Sequence, residues 1–266
     1  MFEASTQSWN SVKANRLNAL QSKFAGMTLE EFEDFAWLVK PGRGWQLDAS
    51  ENANDMAAYL SAVQSGEITP NLTELTPEKA KELKMKGFSD ACSAFVDSIS
   101  FSFDGTEDFS GRVLTGGENC GLKYTGITGA QIAQCSQVLN YDLKNIKWTG
   151  KEDLSNVKFE NVTGMQVPAS VAATSKWESC TLGLVFSGSE DFSKAEFDGC
   201  EISGSTGSNV VKFAGTWKNS TIRLTFNGTE DFSKSYFENC SWYGSGLTEE
   251  QRQQIYARSD GTVFNY

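Results

Sequence analysis

The sequence predicts an α+β chain in which a helical N-terminal region, residues 1–96, leads into a parallel β-solenoid over residues 97–246 and then a short C-terminal capping helix and tail, 247–266. Three observations predict it. Residues 1–96 carry apolar side chains at helical spacing, punctuated by capping signals. A turn motif then recurs four times. Between its later copies, large apolar residues fall every five positions, a period that neither a helix nor a simple strand has.

The N-terminal elements follow in order. Leu17, Leu20 and Phe24 recur at spacings of three and four, as one face of a helix does. The next helix opens at Thr28 with Glu31 completing a capping box, runs through Phe32, Phe35 and Leu38, and stops before Pro41-Gly42. A third, after Asp48, puts Met56, Tyr59, Leu60 and Val63 on one side and ends at Gly66. Thr76-Pro77-Glu78 offers an N-cap with proline at the first helical position. Capping the open end of the solenoid is the expected role of this region, because an uncapped end exposes apolar interior and unpaired backbone. An independent binding or secretion-related domain is the alternative.

The turn motif reads Phe103-Asp104-Gly105-Thr106-Glu107-Asp108-Phe109-Ser110 in its first copy. Trp148 to Ser155, Phe186 to Ser193 and Phe226 to Ser233 repeat it, and glycines 105, 150, 188 and 228 set the spacings at 45, 38 and 40. Three copies are entered through alternating apolar segments: Ile99, Phe101, Phe103; Leu182, Leu184, Phe186; and Ile222, Leu224, Phe226. Period two means a strand with one buried face. After the turn the period becomes five, with Phe192, Phe197, Ile202 in the third copy and Phe232, Phe237, Trp242, Leu247 in the fourth. Small residues stand two places earlier, Ala195 and Cys200 in one copy and Ser235, Cys240 and Ser245 in the other. If every fifth residue turns a corner, four short sides close a coil of about twenty residues, and coils stack about 4.8 Å apart as parallel strands do. Large and small residues then both point inward, and each buried large side chain contributes about 1.5–3 kcal/mol.

The segments Ala195-Glu196-Phe197-Asp198-Gly199, Cys200-Glu201-Ile202-Ser203-Gly204, Ser235-Tyr236-Phe237-Glu238-Asn239 and Cys240-Ser241-Trp242-Tyr243-Gly244 resemble the pentapeptide-repeat family, whose unit is small-x-Leu/Phe-x-x. The resemblance spans about residues 97–246 with interruptions. It implies a right-handed quadrilateral β-helix, here a variant with short helical inserts. A capping box at Thr128/Gln131 marks such an insert, and another at Thr248/Gln251 opens the C-terminal capping helix. By the same resemblance the family includes bacterial effectors delivered into host cells and acidic DNA mimics that bind type II topoisomerases.

Composition limits the chemistry. The chain has no histidine, which removes His-based triads, His metal sites and imidazole acid/base catalysis. Its net charge of −11 disfavours direct nucleic-acid binding, since that relies on Lys and Arg displacing counterions. Cys92, Cys120, Cys135, Cys180, Cys200 and Cys240 form no CxxC pair and are expected to be reduced thiols, Cys200 and Cys240 as small interior residues. No apolar run reaches transmembrane length and the N-terminus lacks the features of a Sec signal. A cytoplasmic protein, or one exported by a non-Sec route into a host cell, is expected. Thr115-Gly116-Gly117-Glu118 reads as a turn, because no Gly-Lys-Ser/Thr follows in phosphate-loop spacing.

Two sets of residues could meet a partner. The first is the acidic pairs Glu107/Asp108, Glu152/Asp153, Glu190/Asp191 and Glu230/Asp231, as a ladder roughly 10 Å apart if pairs recur every second coil. Against this, carboxylate and Ser side chains also cap backbone N–H groups in such turns, with glycine supplying a positive φ. The second set is Trp177, Trp217, Trp242 and Tyr243, as exposed recognition aromatics or as interior residues. No catalytic, cofactor-binding or metal-ligating residue is expected, and no cofactor. The function expected is a non-catalytic scaffold for an unidentified protein partner, such as an effector acting on a host protein. The alternatives are an acidic topoisomerase-binding DNA mimic and a carbohydrate-active β-helix enzyme using the paired carboxylates.

Overall fold

The computed structural model describes residues 2–36, 48–92, 99–116 and 122–264. The helices are α1 (Phe2–Lys23), α2 (Leu29–Ala36), α3 (Asp48–Gln64), α4 (Pro77–Cys92), α5 (Gly129–Ile132), α6 (Ala169–Ala172) and α7 (Glu249–Tyr256). The first strands are β1 (Ile99–Ser102), β2 (Val113–Thr115), β3 (Leu122–Thr125), β4 (Gln137–Leu139), β5 (Lys158–Glu160), β6 (Thr163–Pro168), β7 (Lys176–Glu178) and β8 (Thr181–Val185). They continue as β9 (Glu196–Asp198), β10 (Glu201–Ser205), β11 (Thr216–Lys218), β12 (Thr221–Thr225), β13 (Tyr236–Glu238), β14 (Ser241–Trp242), β15 (Ser259–Asp260) and β16 (Val263–Phe264). The fold is thus α+β, and its sheets are parallel throughout.

Contacts divide the chain into two compact units, Met1–Glu107 with Glu118–Thr125, and Asp108–Gly117 with Gly126–Tyr266. In the first unit the helices form where capping predicts. Thr28 and Glu31 exchange backbone and side-chain hydrogen bonds at the start of α2 (2.8 and 3.1 Å), and the Thr76 hydroxyl accepts from Lys79 N at the start of α4 (3.2 Å). Met56, Tyr59, Leu60 and Val63 of α3 are buried together with Leu20, Phe24 and Phe32, and the Phe24 ring meets Phe32 at 5.2 Å and Tyr59 at 4.8 Å. The expected passage of the second helix through Leu38 to Pro41-Gly42 lies outside the described residues. Strands β1 and β3 pair in this unit, and Phe88 of α4 packs on Phe101, Phe103 and Tyr124.

The second unit contains two larger parallel sheets. One holds β2, β4, β5, β7, β9, β11, β13 and β15 side by side, the other β6, β8, β10, β12, β14 and β16. Through the middle of each sheet, register partners stand twenty residues apart: Trp177, Phe197, Trp217, Phe237 in the first and Leu182, Ile202, Ile222, Trp242 in the second. These side chains are all buried, whereas their strand neighbours face outward. Parallel register stacks like on like, so Phe159 lies on Trp177 at 4.0 Å and Phe197 on Trp217 at 4.3 Å, their planes within 17°. The small residues Ala195, Cys200, Ser235 and Cys240 are buried as expected. Leu247 and Ser245 depart from the five-residue expectation. Leu247 is half-buried and Ser245 exposed, because the chain turns away at Gly246 (φ +85°) to enter α7.

The residues that bend the chain between the sheets share one backbone conformation. Asn140, Asn161, Ser179, Asn219 and Asn239 adopt positive φ, with Gly199 at the equivalent place. Asparagine tolerates the left-handed region better than other non-glycine residues, which explains its recurrence just after β4, β5, β11 and β13. In β6 the register shifts between Gly164 and Val167, a bulge that extrudes Met165 and Gln166.

Candidate functional site

The four acidic turns share one internal construction. In each, the Asp accepts a hydrogen bond from the N–H of the Ser two places on: Asp108 from Ser110 (2.9 Å), Asp153 from Ser155 (3.0 Å), Asp191 from Ser193 (3.0 Å) and Asp231 from Ser233 (2.8 Å). These aspartates are exposed. The glutamates point the other way and are buried, Glu107, Glu190 and Glu230 to below 5% exposure and Glu152 to 9%. Each reaches back to the amide three residues earlier: Asp104 N to Glu107 (3.2 Å), Thr149 N to Glu152 (2.7 Å), Ser187 N to Glu190 (2.8 Å), Asn227 N to Glu230 (2.8 Å). In the last three copies the glycine N–H donates as well, at 2.9–3.0 Å. Gly105, Gly150 and Gly228 take the positive φ expected of the turn, but Gly188 does not.

What differs is the cover over each carboxylate. In the first unit Lys84 of α4 meets Glu107 at 2.8 Å, a fully buried ion pair, with the ammonium also 5.0 Å from the Phe103 ring centre. Glu152 takes the Thr149 hydroxyl (2.8 Å) and Lys151 N (3.1 Å). Glu230 is held by the Thr206 hydroxyl (2.5 Å) and by Gln251 Nε2 of α7 (3.1 Å). At Glu190 one oxygen, Oε2, is buried without a hydrogen-bond partner among the described residues.

Burial pushes the Glu152 and Glu230 carboxyls up. The Thr149 amide and hydroxyl at Glu152, and the Thr206 hydroxyl and Asn227 amide at Glu230, outweigh it and hold both below the ordinary value. Asp153 and Asp231 are lowered mainly by their serines. Asp191 is lowered too: burial raises it, but its bonds from Ser193 and the charge of Lys212 prevail.

The aspartate ladder is not uniformly acidic. Lys212 bridges between Asp191 and Asp231 in parallel register, and its ammonium lies 3.7 Å from Asp191. The glutamates expected to face a partner are inside the turns, so they are unavailable for surface contact. A correction applies equally to the tryptophans: Trp177, Trp217 and Trp242 are at most 1% exposed, each occupying an inward-facing position of its strand. Their large rings fill the space between neighbouring stacked residues, so none of these three indoles is on the surface. Tyr243 alone of that set is exposed, at 48%.

Sequence reasoning missed the outer face of the six-stranded sheet. Met165 and Val185 are exposed there (63% and 47%), and Arg223 lies over the Tyr243 ring at 4.4 Å while pairing with Glu201 at 2.8 Å. The signal was present as the outward positions of β8, β10 and β12, the residues between the alternating apolar ones. The outer face of the eight-stranded sheet is charged instead, with Lys158–Glu178, Lys176–Glu196 and Lys218–Glu238 each at 2.9 Å.

Cys135, Cys180, Cys200 and Cys240 are buried thiols that take part in no disulfide. Cys92 ends α4 without a described side chain, and Cys120, like Gly117 and Glu118 of the glycine turn, lies outside the described residues. Among the described residues no group of three or more His, Cys, Asp or Glu is placed to hold a metal ion, and no helix is long and apolar enough to cross a membrane. No protein-family model matches the chain, and neither a curated protein nor a solved structure is detectably similar to it.

Proposed function

We propose that the two long parallel sheets are walls of a right-handed quadrilateral β-helix of the pentapeptide-repeat type, and that the protein is a non-catalytic scaffold offering its outer sheet faces to a protein partner. The twenty-residue register, the inward-facing side chains stacked along it and the left-handed residues at the bends support the coil. The observation that carries the function is the outer face of the six-stranded sheet, where Met165, Val185, Tyr243 and Arg223 stand exposed on a regular framework. Met, Tyr and Arg are enriched in binding surfaces, and Tyr and Arg at their hot spots. The acidic turns support the non-catalytic part, since their carboxylates are spent on holding backbone amides.

An effector acting on a host protein is the form of this reading that the family resemblance suggests. The test is affinity capture with the native chain and with a Tyr243→Ala/Arg223→Ala double variant. Both positions are exposed, so the variant keeps its circular dichroism spectrum, and the captured partner is expected to be lost. Retention of the partner would remove this face from the function. Inhibition of gyrase supercoiling by the purified protein would turn the reading to acidic mimicry, and a polysaccharide-cleaving activity lost in Asp191→Asn would turn it to an enzyme.

A further inference from the structure

We propose that a groove between α1 and α3 in the first unit binds a small amphipathic carboxylate. The inference is independent of the scaffold reading. The groove has a volume of about 550 Å³, within the range of small-molecule sites. Leu17 and Leu20 of α1 and Ala57 and Ala62 of α3 line it, and of these Leu20, Ala57 and Ala62 are buried, which gives it an apolar floor. Lys13 and Arg16, one helical turn apart on α1, line it from the solvent side.

The two cations are not equivalent. Lys13 is ion-paired with Glu67, which also lines the groove. Arg16 has no hydrogen-bond or ion-pair partner among the described residues, in a chain with eleven more acidic than basic side chains, 34 against 23. By contrast the lysines along a second groove, about 430 Å³ on the eight-stranded sheet, are each paired with a carboxylate. A guanidinium fork beside an apolar floor matches one carboxylate attached to an aliphatic or aromatic body: the fork takes both oxygens and the body displaces water from the leucines and alanines. A ligand without the carboxylate forfeits the charge-assisted bonds. A strongly acidic ligand would meet Glu67.

Titration of the full-length protein with decanoate, followed by amide chemical shifts, tests the proposal. Saturable shifts at Leu17, Leu20 and Ala57 are expected, with a dissociation constant on the order of 1 mM for so small a ligand. Arg16→Ala, an exposed substitution that leaves the circular dichroism unchanged, is expected to weaken binding about tenfold. Decanol, with the same chain and no carboxylate, is expected to bind at least about tenfold more weakly than decanoate. Absence of saturable shifts up to about 10 mM, equal binding of decanol, or an unchanged constant in Arg16→Ala would each overturn it.

Discussion

At the residue scale, the small inward positions are occupied by Cys and Ser for a reason beyond size. The residue after each left-handed bend presents an inward N–H, and the side chain from the next strand over accepts it: Val162 N bonds Cys180 Sγ (3.5 Å), Cys180 N bonds Cys200 Sγ (3.5 Å) and Cys200 N bonds Ser220 Oγ (3.1 Å). The same atoms donate onward, Cys200 to the Asp198 carbonyl at 3.4 Å and Ser220 to the Lys218 carbonyl at 2.6 Å. The neighbouring Cys180 thiol and burial push the Cys200 thiol far up, so it stays protonated and can donate. Cys200→Ser is therefore expected to be tolerated and Cys200→Ala to cost about 1–3 kcal/mol in urea unfolding, since it orphans a buried amide. The glutamates make a second contrast. Glu230 meets donors at both oxygens, so Glu230→Gln turns an amide NH2 against one of them and is expected to cost about 1–3 kcal/mol. Glu190 has a vacant oxygen, and Glu190→Gln is expected to change stability by less than about 0.5 kcal/mol. Equal losses in the two variants would disprove the difference in cover.

Titration follows from the same bonds. Glu152, Glu230, Asp153, Asp191 and Asp231 are all lowered in the folded chain, so between their folded and ordinary values the unfolded chain binds more protons. Stability contributed by these groups is complete above their ordinary values of 4.5 and 3.8, and is lost as pH falls through the lower folded ones. Unfolding midpoints in urea are expected to hold constant from neutrality down to about pH 5 and to fall progressively below it. A midpoint unaffected by acid would show that the turn bonds do not favour the charged form.

At the element scale, the short helices cannot sustain themselves alone; α6 has no side-chain cap and rests on the burial of Ala169, Val171 and Ala172. Both α5 and α7 have complete capping boxes, Thr128 with Gln131 and Thr248 with Gln251. The second is tied to the turn before it: Gln251 Oε1 accepts from Thr248 N at 3.0 Å while Nε2 donates to the Glu230 carbonyl (3.0 Å) and carboxylate (3.1 Å). Glutamate is as good as glutamine at this capping position, so helix propensity predicts no change in Gln251→Glu. The structure predicts otherwise. The variant would replace a donor by a second buried carboxylate and is expected to lose about 2–4 kcal/mol at neutral pH, with part of the loss recovered on acidification. A neutral effect would mean that α7 is capped independently of Glu230.

At the scale of the whole molecule, each unit has its own aromatic core, and the second unit has the longer one. Phe192, Phe213 and Phe232 stack at 5.3 and 5.1 Å, beside the Phe197–Trp217–Phe237 column. Phe197 stacks on Trp217 and also meets the Phe192 ring at 6.2 Å, so Phe197→Asp would bury an unpaired charge among them. Loss of the near-ultraviolet signal and of cooperative thermal unfolding is expected, since the cost of about 4–5 kcal/mol or more rivals the stability of an ordinary domain. Lys194→Ala, at an exposed position three residues away, is expected to stay within about 0.5 kcal/mol of the native chain. Similar tolerance of both would contradict the inward position of Phe197. The exposed ion pairs of the eight-stranded sheet contribute little to this balance, about 0–1 kcal/mol each.

The sequence by itself determined what depends on neighbours within a few residues. Thr28, Thr76, Thr128 and Thr248 cap their helices because the partner lies three places on, and Phe197, Ile202, Phe237 and Trp242 face inward because the five-residue period leaves them no other side. Tertiary structure decided what depends on a strand about twenty residues away. Whether a turn's glutamate is covered by Lys84, by Thr206 and Gln251, or by nothing cannot be read from the Gly-x-Glu-Asp core, which is the same in every copy. The same holds for the indoles of Trp177 and Trp217, the Met165–Gln166 bulge and the departure at Gly246. Each is fixed by steric fit or by a donor that only the folded chain brings alongside.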